Sequence, residues 1–147
     1  MDPIRFWDFV ADSFNPLACL MLAFAGVRRF GWRPRLARFG IASAAGLTSA
    51  VANADKVFGP MDADGPDCWP SSHMAFFASA MTSLVFAGPT RPATSFALVI
   101  LYGWLVAALG YHTPCELAVG AALGAAVAAG CHLTAGKCFP TRDRTRE

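Results

Sequence analysis

The chain has 147 residues, of which 55% are hydrophobic and 15% are charged, and its formal net charge is +2. A soluble domain carries roughly 25% charged residues, and the apolar residues of this chain stand in blocks instead of alternating with polar ones. The composition therefore argues against a soluble globular enzyme, and the small net charge gives no basis for nucleic acid as a partner. It predicts a single all-α domain, an integral membrane bundle of about five transmembrane helices.

The first predicted element is a short interfacial segment over residues 1–13, in which aromatic residues mix with Asp2, Asp8 and Asp12. Because this leader is acidic, we do not expect a cleaved signal peptide. A first span follows over residues 14–30, with Asn15 as its N-cap and Pro16 at the first helical position.

Four further apolar stretches approach the roughly 20 residues that a helix needs to cross a bilayer. They cover residues 39–57, 72–88, 93–111 and 113–133. The five spans define a transmembrane domain over residues 14–135, and residues 136–147 form a basic tail. Small residues in the second and fifth spans, among them Gly120 and Gly124 in a GxxxG pattern, predict that these two helices pack closely.

Charge predicts the orientation. If the spans alternate in direction, one side carries ten of the twelve basic residues: Arg28, Arg29, Arg33, Arg35, Arg38, Arg91, Lys137, Arg142, Arg144 and Arg146. Basic loops stay in the cytoplasm. We therefore expect a plasma (inner) membrane protein with its N-terminus outside and its C-terminal tail in the cytoplasm, along anionic lipid headgroups.

Lys56 ends the second span, His73 opens the third, and His112 lies between the fourth and fifth spans, followed four residues later by Glu116. The predicted topology places all four at the outer membrane face, where they form a plausible catalytic set. A structural alternative exists for Glu116, because the order Thr113-Pro114-Cys115-Glu116 fits a helix capping box.

These positions resemble the motifs of the type 2 phosphatidic acid phosphatase superfamily, over about residues 40–130. Lys56 corresponds to the lysine of the first motif, and the sequence PSSH at 70–73 corresponds to Pro-Ser-Gly-His, with serine in place of glycine. His112 matches the histidine of the third motif, and Glu116 stands where the family has aspartate.

The resemblance implies hydrolysis of a lipid phosphate or lipid diphosphate, without a cofactor. In the family mechanism His112 attacks phosphorus and forms a phosphohistidine, while Glu116 orients its imidazole and His73 protonates the leaving alkoxide. The expected substrate-binding residues are Lys56, Ser71 and Ser72, with the N-terminus of the third span.

Both arginines of the family pattern are absent, since their positions hold Ala63 and Leu105-Val106 in place of Arg and Ser-Arg. This departure leaves two alternatives open. One is a related lipid phosphotransferase, and the other is a degenerate homologue that binds lipids or acts as a scaffold without catalysis. The sequence names neither the lipid nor the oligomeric state.

The five cysteines form no CxxC pair, but Cys68 and Cys115 fall in the two outer loops and are candidates for a disulfide. With His73 and His112 they also make four possible zinc ligands, although the spacing is not that of a zinc finger. The sequence DADG at 62–65 is similar to the start of a calcium loop without its remaining ligands. We expect no metal site.

Overall fold

The computed structural model describes residues 3–30, 34–56, 70–88 and 90–138, with side chains described over 13–30, 36–37, 39–52, 70–88 and 90–135. Five helices follow one another along the chain. They are α1 (Pro3–Phe30), α2 (Pro34–Lys56), α3 (Ser72–Ala87), α4 (Pro92–Ala108) and α5 (Pro114–Cys138). No strand occurs in these described ranges, which confirms the predicted all-α class.

Among the described residues, one helical stretch, Pro114–Ala135 of α5, is long and apolar enough to cross a membrane by itself. The stretches Phe39–Ala52, Ser72–Ala87 and Pro92–Ala108 are apolar but shorter. The 17 residues of α4 extend about 26 Å, slightly less than the ~30 Å of a bilayer core. The arrangement as a five-span membrane bundle is therefore taken up below as a proposal.

Helix α3 is the centre of the bundle and contacts each of the other four helices. Ten of its sixteen residues are buried, and Met81 and Leu84 are almost inaccessible. Its end is fixed by Gly88, which adopts a left-handed φ of 82° and donates its N–H to the carbonyls of Leu84 and Val85. Such a conformation favours glycine, because other residues carry a Cβ that is strained there.

The predicted N-cap at Asn15 is wrong. Helix α1 begins at Pro3 and continues through Pro16, so Asn15 is not an N-cap and the helix crosses the expected boundary at residue 13. Local sequence favours a break because proline cannot donate an intrahelical hydrogen bond. Packing overrides that preference: the Phe14 ring lies 5.1 Å from the Tyr102 ring and 5.7 Å from the Phe77 ring, measured between centroids.

Glycines set the helix contacts of α5. A Cβ at Gly120 would lie 2.6 Å from the Ser71 carbonyl oxygen, and a Cβ at Gly124 would overlap the Ala75 carbonyl oxygen. The GxxxG pair therefore faces α3, whereas the predicted packing of the second and fifth spans comes from Gly46, whose Cβ would lie 3.2 Å from the Ala128 Cα. Small residues thus bring α5 close to two neighbours.

The order of contacts gives the helix directions. Ser71 and Ala75 of α3 lie beside Gly120 and Gly124 of α5, so these two helices run parallel. The start of α3 and the start of α5 are at one end of the bundle, which we call the histidine end. The opposite end, where Arg29 of α1 lies beside Gly88 at the end of α3, is called the arginine end. The parallel direction of α3 and α5 agrees with the predicted topology, in which successive spans alternate in direction.

His132 lies inside the bundle towards the arginine end. Its Nε2 is 3.0 Å from the Ser83 hydroxyl and 3.5 Å from the Ser43 hydroxyl. Its ring stacks on Phe86, with a centroid distance of 4.7 Å, and also packs against Phe39. His132 therefore has a packing role that joins α2, α3 and α5.

We expect His132→Ala to destabilise the protein by about 2–4 kcal/mol, because it removes ring packing and leaves two buried hydroxyls without this partner. The thermal unfolding midpoint in a fixed detergent is the measurement. Thr134→Ala, at an exposed position of the same helix, should change stability by less than about 0.5 kcal/mol. Equal midpoints for the two variants would contradict the packing role.

Candidate functional site

The candidate site is built on the contact between the first turns of α3 and α5. Ser71 precedes α3 with extended backbone angles, and its hydroxyl accepts a hydrogen bond from the Met74 N–H at 3.3 Å. The Ser71 N–H donates to the Glu116 carbonyl at 3.1 Å. Because Gly120 has no side chain, the α3 start lies directly against α5. The two helix starts are thereby held in one fixed relation.

The capping box predicted at 113–116 is present. The Thr113 N–H donates to Glu116 Oε2 at 2.8 Å, and the Glu116 N–H donates to the Thr113 hydroxyl at 3.3 Å. The same Glu116 oxygen lies 3.1 Å from His112 Nδ1. The structural and functional interpretations of Glu116 are therefore compatible, since one carboxylate both closes the helix start and binds the imidazole.

This contact determines which nitrogen of His112 faces outwards. When Nδ1–H donates to the carboxylate, the neutral ring carries its lone pair on Nε2. His112 is only partly buried, with 28% of its side chain exposed in the ion-pair geometry with Glu116. An accessible, oriented imidazole of this kind is suited to act as a nucleophile or a base.

His73 is the second residue of α3 and is exposed. It lies on the histidine end, two residues after Ser71, but on a different side of α3 from Ala75, which faces α5. Positions 73 and 77 share one face of α3. Phe77 on that face packs against Phe14 of α1 and Tyr102 of α4. The structure thus brings Ser71, His112 and Glu116 together, and it places His73 on the same end without a described contact to His112.

The other predicted phosphate-binding residues differ in what they offer. Ser71 is 1% exposed and its hydroxyl serves the helix cap, whereas Ser72 is partly exposed on the first turn of α3. Lys56 is the last residue of α2, and its side chain lies outside the described residues. A phosphate-binding role for these residues stays a prediction.

Val106 lies where arginine would be expected from the resemblance, and its surroundings do not suit a charged side chain. Val106, at the arginine position, is 4% exposed and belongs to the main hydrophobic core. A guanidinium there would be buried without a partner, which is costly. Introducing arginine at this position would therefore test folding before it tested phosphate binding.

An apolar cleft of about 800 Å³ separates α4 from α5 and has α3 as its floor. On α5 it runs from Pro114 and Leu117 near the histidine end to Ala125, a distance of about 16 Å. On α4 it continues to Pro92, near the arginine end. Its larger side chains include those of Met74, Met81, Phe96 and Trp104, and none of the described residues that line it is charged. Sequence reasoning missed this cleft, because separate helices give no local signal for a gap between them.

Cys115 is disulfide-bonded, so its sulfur is not available as a zinc-binding thiolate. Cys19 and Cys131 are free, while the predicted partner, Cys68, lies outside the described residues, and its pairing with Cys115 stays a prediction. Asp62–Gly65 also lies outside them. Within the described part of the chain, no three His, Cys, Asp or Glu side chains are grouped to hold a metal ion.

Comparison with models of known protein families, with curated proteins and with solved structures gives no match to this chain. The resemblance to the type 2 phosphatidic acid phosphatases therefore depends on its own residues and on the geometry around His112.

Proposed function

We propose that the protein is a membrane-embedded phosphatase that hydrolyses a lipid phosphate or lipid diphosphate through a phosphohistidine at His112. The observation that carries this proposal is the hydrogen bond from His112 Nδ1 to Glu116 Oε2, at 3.1 Å. This hydrogen bond directs the basic Nε2 away from the carboxylate. His112 lies at the histidine end of a bundle whose sequence resembles that family.

The surface of the bundle supports a membrane location. Large apolar side chains face outwards on α1, α2, α4 and α5: Leu17, Leu20, Phe24, Ile41, Phe96, Ile100, Trp104 and Leu133 are each more than half exposed. Apolar area of this extent on a monomer marks contact with lipid or protein. We infer that the five helices span the bilayer together, with α3 shielded by its neighbours and the bilayer locally thinner beside the short α4.

The cleft between α4 and α5 supports a lipid as the substrate. Along α4 the cleft extends from Ala107 to Pro92, about 22 Å, so a chain bound there would cross more than half of the ~30 Å hydrocarbon core. The end lined by Pro114 and Leu117 is directly beside Glu116. One lipid could therefore bind with its phosphate group at the histidine end and its hydrocarbon chain in the cleft.

The proposed reaction has two displacements. His112 Nε2 attacks phosphorus, a P–N bond forms, and the bond from phosphorus to the lipid oxygen breaks. His73, in its protonated form, gives the departing alkoxide its proton. Water then attacks the phosphohistidine, His73 takes its proton, the P–N bond breaks, and inorganic phosphate leaves.

Positive charge for the phosphate comes from fewer groups than in the family pattern. Lys56 supplies one cation, and the start of α3 supplies backbone N–H groups at the positive end of its helix dipole. The family's two arginines have no counterpart at the matching positions. We therefore expect weak substrate binding and a strong dependence on the lipid being concentrated in the membrane.

The test is phosphate release by purified protein from a panel of lipid monophosphates and diphosphates in mixed micelles, with and without divalent cations. Wild type should release phosphate, and His112→Asn, prepared identically, should not. Addition of a lipid alcohol distinguishes a phosphatase from a phosphotransferase. A phosphotransferase would yield a phosphorylated alcohol instead of free phosphate. Release of neither product under any condition would favour the non-catalytic homologue.

A further inference from the structure

A second groove lies at the arginine end, between the last turns of α1 and α3. Its volume is about 530 Å³. Met21, Phe24 and Leu84 line its apolar part, and Arg28, Arg29 and Thr90 line its polar part. The groove therefore changes from apolar to cationic along its length, on the side of the bundle opposite the histidine end.

The two arginines of this groove contact no acidic side chain among the described residues. Both are exposed, and within the part of the chain that the structure describes neither forms an ion pair with a carboxylate. Gly88 lets one guanidinium approach the backbone, since the Arg29 Cζ lies 3.9 Å from the position of a Cβ at Gly88. Two exposed guanidinium groups beside a hydroxyl form a surface complementary to a phosphate group.

We propose that this groove binds an anionic phospholipid of the cytoplasmic leaflet, with its phosphodiester headgroup on Arg28 and Arg29 and an acyl chain along Met21 and Phe24. The proposal depends on the membrane placement given above but not on catalysis, because the groove is at the other end of the bundle from His112. Basic grooves between helices on the cytoplasmic side are suited to acidic headgroups.

A lipid fits this groove better than a free anion does. Met21 and Phe24 are 45% and 66% exposed, and a soluble phosphate would leave that surface uncovered. A hydrocarbon chain would cover it while its headgroup neutralises both arginines. The lipid would also join α1 to α3, and so it should stabilise the bundle.

The experiment measures binding of phosphatidylglycerol to the full chain in neutral detergent, by native mass spectrometry and by the rise in unfolding midpoint. Arg29→Gln should weaken binding roughly fivefold and Arg28→Gln/Arg29→Gln roughly twentyfold. Arg91→Gln is the matched control, because Arg91 is an exposed arginine that precedes α4 at the same end and does not line the groove. It should weaken binding less than twofold.

Three results would overturn the proposal. One is an equal loss of binding in Arg29→Gln and Arg91→Gln, which would indicate a diffuse surface charge. Another is an equal midpoint rise with glycerol phosphate, which carries the anion without the chains and would indicate a simple anion site. The third is wild-type protein that binds no phosphatidylglycerol. Since turnover is not measured, none of these outcomes bears on the phosphatase proposal.

Discussion

We expect His112→Asn to lower phosphate release by roughly 10⁴-fold or more, because the variant lacks the nitrogen that forms the bond to phosphorus. Asparagine is polar and smaller than histidine, and the position is only partly buried, so the fold should survive. Initial rates on the best lipid phosphate, with the unfolding midpoint measured on the same preparation, make the test. Wild-type rates in a folded His112→Asn protein would remove this residue from the mechanism.

The companion variant Glu116→Gln separates the two roles of Glu116. Glutamine keeps a carbonyl oxygen for the Thr113 N–H and so retains the helix cap, but it loses the charge that stabilises a positive imidazole. We expect activity to fall by roughly 10²–10⁴-fold with little change in stability. Thr113→Val is the control, because it removes the hydroxyl that caps the Glu116 N–H and leaves the carboxylate in place.

If Thr113→Val and Glu116→Gln lost activity equally, Glu116 would act through the cap alone. A fall confined to Glu116→Gln, with the pH dependence of the rate changed, indicates that the carboxylate acts on His112. The second outcome is the one that the shared oxygen, Glu116 Oε2, leads us to expect.

Gly124→Ala should disrupt the close contact between α3 and α5. The added Cβ would overlap the Ala75 carbonyl oxygen, and a Cβ there would also come within 2.8 Å of the Ala75 carbonyl carbon. These atoms belong to the backbone of the central helix and cannot rotate away. We expect the free energy of unfolding to fall by about 1–3 kcal/mol or more. The unfolding midpoint should fall by roughly 4 °C for each kcal/mol.

Gly130→Ala is the control for this change, because it lies on the same helix and a Cβ there meets nothing within 4 Å. Alanine favours a helix over glycine by about 0.5–1 kcal/mol, so this variant should be neutral or more stable. Activity should follow the same pattern, since displacement of α3 from α5 would break the bond between Ser71 and Glu116. Similar midpoints for the two variants would show that α3 and α5 are not in close contact.

Apolar blocks were sufficient to locate four of the five helices. The predicted spans over residues 72–88 and 93–111 correspond to Ser72–Ala87 and Pro92–Ala108, because Gly88 and Pro92 mark the turn between them. The end of α4 comes earlier than predicted, since Gly110 adopts a φ of 76°. The predicted helix start at Asn15 and Pro16 was wrong because the local effect of Pro16 was overridden by contacts of Phe14 with residues far along the chain.

The candidate site was predictable from the sequence only where it depends on neighbouring positions along the chain. The pairing of His112 with Glu116 is a local i, i+4 relation, so it could be inferred from spacing, and so could the capping box. The contact between Ser71 and Glu116, the apolar cleft and the burial of Val106 depend on how α3, α4 and α5 pack. The distance between His73 and His112 also depends on how the helices pack, so spacing along the chain does not determine it.

The most direct test of catalysis by His112 is to trap the covalent intermediate. Wild-type protein is mixed with its lipid phosphate substrate, quenched in alkali, where phosphohistidine is preserved, and digested for peptide mass spectrometry. We expect phosphate on Nε2 of His112, at a level that falls to zero in His112→Asn. Turnover without phosphate on His112, or with phosphate on His73 instead, would contradict it.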